Sequence, residues 1–211
     1  MMALMTRTLT LLTAITFTLT APAWADNPKE VVKGVIDEVI RLLTDPSLQA
    51  PAQKMRRREL IKATIDPRFD YEEMARRCLA ATWRQLSPAQ RSEFVDLFGE
   101  LLEASYADKI EKYSGETVTY LAEHQDDDYA EVRTVLLRKN DRIPMDYRLL
   151  KNSDQWKIYD VVIEGVSLVS NYRSQFTRIV QEHSYADLVR RLRNKVQELQ
   201  STQELQDPEK I

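Results

Sequence analysis

The chain is poor in the residues on which much protein chemistry depends. Its 211 residues include one cysteine, two histidines and four glycines. A single cysteine, Cys78, excludes an internal disulfide. It follows Met74, Ala75, Arg76 and Arg77 in a helical pattern and reads as a small buried hydrophobe, because no base or electropositive pocket can be assigned to it. His124 and His183 have no neighbours at metal-ligand spacing and read as solvated. With so little glycine there is no Walker loop, no GxGxxG and no GxSxG, so phosphate-cradling loops and a nucleophile elbow are excluded. Asp126, Asp127 and Asp128 lack the following glycine and distal glutamate of a calcium loop. Nor is there an excess of positive charge: 30 Lys and Arg stand against 33 Asp and Glu, for a net charge of −3 and a pI near 5.6. That excludes nonspecific binding to nucleic acid, which needs a basic face. The one basic cluster, Arg56 to Arg58, is short and reads as a solvated helix face rather than a headgroup site.

Long hydrophobic runs are absent too. The longest lies at the N-terminus, where Arg7 precedes an apolar or hydroxyl-bearing stretch from Leu9 to Thr20. It is too short to span a bilayer, which takes about 20 residues. Ala23-Trp24-Ala25 offers small residues where a signal peptidase reads them. Residues 1–25 are therefore expected to be a secretory signal peptide, with the mature chain starting at Asp26. No cysteine follows to take a lipid anchor. Removing this segment takes away Arg7 and no acid, moving the net charge from −3 to about −4.

What is present is 43% hydrophobic and 30% charged residues, the balance of a globular chain. Residues 26–202 read as a single domain and 203–211 as a polar tail. The first half has helical periodicity. Val31, Val32, Val35, Ile36, Val39, Ile40, Leu42 and Leu43 predict one amphipathic helix ending near Asp45-Pro46. A second covers about Ala52 to Thr64, and a third opens at Asp70, with Glu73 completing a capping box, and runs to about Ala81. Ser87, Pro88 and Gln90 form a stronger start signal for a long helix to about Tyr113. Its apolar stripe holds Phe94, Leu97, Phe98, Leu101, Leu102, Ala104, Tyr106 and Ile110.

Four strands are expected next: Glu116–Glu123, Tyr129–Lys139, Arg142–Leu150 and Gln155–Ile163. The short polar links between them imply antiparallel hairpins. Ile143, Met145, Tyr147 and Leu149 share one face of the third strand, while Asp146 and Arg148 share the other, so one face of the sheet is dry. The stretch from Trp156 to Phe176 then joins an apolar strand, a turn at Gly165 and the start of a helix, welding sheet and helix into one core. The final helix opens at Ser184. The fold class is α+β: a curved antiparallel four-stranded sheet whose dry face is covered by the long helix and the terminal helices. An apolar cavity between the layers is compatible with that arrangement.

Two carboxylates flank the apolar fourth strand, Asp160 and Glu164. Desolvation could make either an acid or a base. The structural alternative is pairing with an arginine such as Arg173, or capping the following helix.

The segments Tyr159-Asp160-Val161, Glu164 to Val169 and Asn171 to Phe176 resemble the signature of the MlaC-type periplasmic phospholipid carriers. These are the auxiliary, toluene-tolerance component of an ABC transport system. Phe69-Asp70 with Met74-Ala75, Trp83, and Gln90-Arg91 with Phe94 extend the likeness, which runs from about Val31 to Leu199. The resemblance implies a soluble carrier; the residues themselves offer no cofactor, metal or catalytic constellation, and a monomer is expected. The resemblance also implies a sheet of the nuclear-transport-factor type and acyl chains buried between sheet and helices. The partners it implies are a phospholipid, an inner-membrane ABC transporter complex and an outer-membrane lipoprotein complex. The expected activity is shuttling phospholipid through the periplasm, which maintains outer-membrane asymmetry.

Strand parity and helix periodicity nominate the lining. Tyr147, Leu149, Trp156, Ile158 and Val162 on the sheet would face Phe94, Phe98, Leu101 and Leu102 on the long helix. Two other classes remain open at this point. One is a periplasmic interaction module or chaperone with an exposed apolar groove; the other is a small enzyme using Asp160 or Glu164 as a base.

Overall fold

A computed structural model describes residues 27–205, with side chains for 27–202. Residues 1–25, expected to be a signal peptide, lie outside the described residues. Six helices and five strands follow one another as α1 (Pro28–Thr44), α2 (Lys54–Ile65), α3 (Tyr71–Leu79), α4 (Pro88–Glu111), β1 (Thr117–Asp126), β2 (Tyr129–Arg138), β3 (Asp141–Asn152), β4 (Gln155–Ile163), β5 (Val166–Ser167), α5 (Leu168–Glu182) and α6 (Tyr185–Leu205). Short 3-10 turns link the first helices. The final helix continues past Gln200 into the stretch read as a polar tail.

The helix starts follow local chemistry. Asn27 accepts from the N–H groups of Lys29 and Glu30 to begin α1. At α4 the capping box is complete: Gln90 N–H donates to the Ser87 hydroxyl at 3.3 Å and the Gln90 side chain accepts from Ser87 N–H at 2.9 Å. At α3 only half of the expected box forms. Asp70 accepts from Glu73 N–H, but the Glu73 carboxylate turns to Arg76 and Arg77 instead of reaching back. Asp70 N–H donates to Ile158 O at 2.8 Å, so the cap also ties α3 to the edge of the sheet.

The sheet is an antiparallel meander in the order β1-β2-β3-β4-β5. It has five strands, not four. The reason is the Glu164-Gly165 link, where φ is +50° and +79°. Positive φ at both positions of a two-residue loop folds the chain back as a hairpin, so Val166 pairs with Ile163 before α5 begins. The Ser153-Asp154 link between β3 and β4 uses the same device, with φ of +48° and +63°. β1 also runs further than expected and takes His124, Gln125 and Asp126 into the ladder.

Two layers of helix flank this sheet, and α4 is not the one that lies on the dry face. That place is taken by α1, whose Val31 and Val32 pack with Ala130, Val132, Leu149, Trp156, Ile158 and Val161. The stripe of α4 is used up by other helices. Phe94 and Phe98 meet Phe176 of α5 at ring distances of 5.7 and 5.9 Å, and Leu188, Leu192 and Val196 of α6 join the same core. A third cluster, Leu42, Leu48 and Ile61, joins the end of α1 to α2, with Ile110 of α4 against it. Around it Arg57 and Arg58 bridge to Glu111 at 3.1 and 2.8 Å, and Lys62 to Glu103 at 3.0 Å. The basic cluster is therefore only partly a solvated face: Arg56 points outward, while Arg57 and Arg58 clasp α4.

Candidate functional site

The register defines the dry face. β2 contributes Ala130, Val132 and Thr134, paired across the ladder with Leu149, Tyr147 and Met145 of β3. On β4 this face begins with Trp156 and Ile158, and then the parity changes. Leu149 pairs with Ile158 while Arg148 pairs with Asp160, so Tyr159 is the extra residue of a bulge. Beyond it the dry face takes Val161 and Ile163, and Asp160 and Val162 turn to the opposite side.

The nine residues nominated from the sequence therefore fall into three places. Tyr147, Leu149, Trp156 and Ile158 share the dry face under α1. Phe94, Phe98, Leu101 and Leu102 belong to the separate helical core, and Phe69 packs against both clusters. Val162 is buried on the far side of the sheet, where it pairs with Ser167. The bulge is the physical cause, since one inserted residue moves every later side chain to the other face.

Burial is graded along the dry face. Trp156, Leu149, Ile158 and Val132 are closed off completely by the N-terminal half of α1. Toward the other end Tyr120, Met145, Tyr147 and Ile163, with Ile36 of α1 and Leu168, are only half-buried. Tyr147 is nonetheless deep enough that burial pushes its phenol far above the ordinary range. The half-buried end is only partly legible in the sequence: Met145 and Tyr147 stand out in the alternation of β3 and Ile163 in the apolar run of β4, whereas Tyr120 carries no local signal.

Beside α1 lie two adjoining open grooves of about 420 and 560 Å³, both lined in part by Glu38, Ala63 and Thr64. Arg41 and Arg56 line one, and Glu30 and Arg68 the other. These are charged surface clefts, not apolar sacs.

The two carboxylates at the end of β4 have different fates. Asp160 is buried and accepts three hydrogen bonds, from the Ser167 hydroxyl at 2.6 Å, from Val169 N–H at 3.1 Å and from Arg148 at 3.2 Å. It caps α5 and neutralises Arg148. Arg173 does not reach it and donates instead to Arg77 O at 2.7 Å. Glu164 is an exposed turn residue. Cys78 is buried, its thiol donating weakly to Val169 O, and burial with the nearby Asp160 charge pushes its pKa up to about 12. His124 and His183 are exposed, and among the described residues no group of three or more His, Cys, Asp or Glu could hold a metal ion.

Comparison with known proteins now bears on this geometry. The family model described as MlaC protein matches residues 33–194. A curated relative from Haemophilus influenzae, the intermembrane phospholipid transport system binding protein MlaC, is 24% identical over 141 residues. That match covers 64% of this chain and 66% of the relative, just under two thirds of its length. Toluene tolerance protein ttg2D of Pseudomonas putida is 23% identical over 162 residues, covering 75% of each chain. Among solved structures, a phospholipid-binding protein from Ralstonia solanacearum, in complex with a phospholipid, superposes with a TM-score of 0.73 at 27% identity. The match covers 83% of this chain and 99% of that one. With a family match across most of its length and a shared fold, the chain belongs to the MlaC protein family.

Proposed function

We propose that this chain is a soluble periplasmic phospholipid carrier that shuttles lipid between outer-membrane and inner-membrane transport complexes and so maintains outer-membrane lipid asymmetry. The observation that carries this reading is the likeness to the Ralstonia protein, which extends over nearly all of that phospholipid-bound chain. The signal-peptide pattern of residues 1–25 supports the compartment, and among the described residues no helix is long and apolar enough to cross a membrane.

The need for such a carrier follows from hydrophobic transfer. Each buried methylene contributes about 0.8 kcal/mol, so two ordinary acyl chains amount to roughly 20 kcal/mol or more. We place the chains against the half-buried end of the dry face, with Tyr120, Met145, Tyr147 and Ile163 as its sheet wall, the closed-off Leu149, Trp156 and Ile158 bounding it and α1 as its cover. Phe94, Phe98, Leu101 and Leu102 would reach the lipid only where the helical layer meets the sheet at Phe69. Val162 is left out because the bulge turns it away.

Protein purified without detergent and extracted into organic solvent should release phospholipid in stoichiometric amount. Protein that carries none, and takes none from vesicles after delipidation, would rule the carrier out. The enzyme alternative has a separate test. Asp160 spends its lone pairs on a helix cap and an ion pair, which is the role of a structural group. Asp160→Asn and Glu164→Gln should leave lipid binding per folded molecule unchanged.

A further inference from the structure

Most buried polar atoms in a folded chain find a partner, because an enclosed unpaired donor is costly. The Tyr120 hydroxyl is fully enclosed and has none. Tyr120 sits on β1 opposite Thr134 of β2, and Tyr147 of β3 faces the neighbouring Val132. The two tyrosines are thus diagonal neighbours across β2 on the same dry face, both half-buried and packed against the same apolar cluster. No described residue hydrogen-bonds the Tyr147 hydroxyl either. The two phenols are close enough for the charge of one to raise the pKa of the other. One enclosed, unpaired hydroxyl and a neighbouring phenol without a protein partner therefore share this wall.

We propose that Tyr120 and Tyr147 donate hydrogen bonds to the acyl-ester carbonyls of the bound phospholipid and make the protein selective for ester-linked over ether-linked lipid. This rests on the carrier reading above and deepens it by naming the part of the lipid that is read.

The chemistry of the surroundings selects the ester. Burial and the nearby Asp37 and Glu30 carboxylates push the Tyr120 phenol up to about 12, so it remains a donor across the physiological range. With Asp37 paired to Lys33, the fixed charges around that hydroxyl supply no net positive charge to hold a phosphate or a fatty-acid carboxylate there. One cation stands close, Lys29, with its ammonium 6.0 Å from the Tyr120 ring. Lys33 is occupied by Asp37. A neutral acceptor within apolar walls needs no such charge and meets no large desolvation penalty, and an ester carbonyl joined to two alkyl chains is such an acceptor. An ether oxygen is a weaker acceptor and leaves the phenols unsatisfied, so recognition works by rejecting the analogue that cannot pair.

The test is competitive loading. Delipidated mature protein is incubated with vesicles containing equal amounts of a diacyl phosphatidylethanolamine and its dialkyl ether analogue, and the bound lipid is quantified by mass spectrometry. The wild type should favour the ester by about two- to tenfold, the range expected for one net hydrogen bond. Tyr120→Phe and Tyr147→Phe should each lower that ratio and together bring it close to one. The rings are retained, so packing survives, and Tyr120→Phe in the empty protein should melt at the same temperature as wild type or higher. A wild type that takes up both lipids equally overturns the inference while leaving the carrier reading intact, as does a double variant that keeps the preference. A wild type that binds neither lipid removes the carrier reading itself.

Discussion

The helical layer and the dry face of the sheet are both apolar, yet they are packed in opposite ways. In the helical layer Phe94, Phe98, Tyr172 and Phe176 interlock through edge-on and tilted ring contacts of 5.2 to 5.9 Å, and Phe94 and Phe98 have no exposed surface. Such rings have specific geometry and admit little rearrangement. The dry face holds Met145, Ile163, Tyr120 and Tyr147 half-buried beneath a single helix. The lesson is a division of labour: one region fixes the frame, and the other keeps surface that a ligand can complete. Stability should concentrate in the first and ligand sensitivity in the second.

Truncations test that contrast most directly. Phe98→Ala should cost about 3–5 kcal/mol in urea denaturation, the usual range for a fully buried aromatic, while lipid uptake per folded molecule stays near wild type. Asp160→Ala comes next. It strands the Ser167 hydroxyl, Val169 N–H and Arg148 at the seam between β4 and α5, and should cost about 2–3 kcal/mol by the same measurement. Ile163→Ala removes a half-buried side chain from the open end and should cost only about 1 kcal/mol. It should nevertheless lower vesicle lipid uptake more than Phe98→Ala does. If Phe98→Ala proved the more damaging to uptake per folded molecule, the helical layer would have to be part of the lipid site.

The contrast also marks where the sequence was legible. Caps and short turns are encoded by neighbouring residues, so the start of α4 at Ser87 and the three hairpins joining β1 to β4 can be read directly, while the Glu164-Gly165 hairpin reads only as a turn. The α+β class followed from them. Alternation along β3 correctly grouped Met145, Tyr147 and Leu149, because that strand has no inserted residue within the run. The same rule misplaced Val162, because the bulge at Tyr159 depends on pairing with β3 and has no signature in β4 alone. Partner choice for helices was equally hidden. The stripe of α4 is complementary to any apolar surface, and only the rings on α5 and the leucines on α6 decide that it faces helices, leaving the sheet to α1. Tyr120 was passed over because one aromatic in a strand is ordinary. Its unpaired hydroxyl exists only in three dimensions.

An effect as small as that of Ile163→Ala should come from the joint between the two regions. Glu116 lies between the end of α4 and β1 and is almost wholly enclosed, accepting from Ser114 N–H at 2.6 Å and from Arg138 at 2.8 Å. These bonds, the Ser114 backbone donor foremost, hold its carboxyl down to about 2. A folded-state value below the ordinary carboxylate value of about 4.3 means that the unfolded chain binds the extra proton first as pH falls. The stabilisation is therefore complete above about pH 5, fades as pH drops through the interval toward 2, and is absent below it. Glu116→Gln keeps the shape but not the charge, and at neutral pH should cost about 1 kcal/mol. Urea midpoints of wild type and variant should converge as pH is lowered from about 5 to about 2. Midpoints that instead fall in parallel would mean that the joint owes its strength to packing of the Ser114-Gly115 turn and not to the buried charge. The helical layer and the sheet would then be coupled by shape alone.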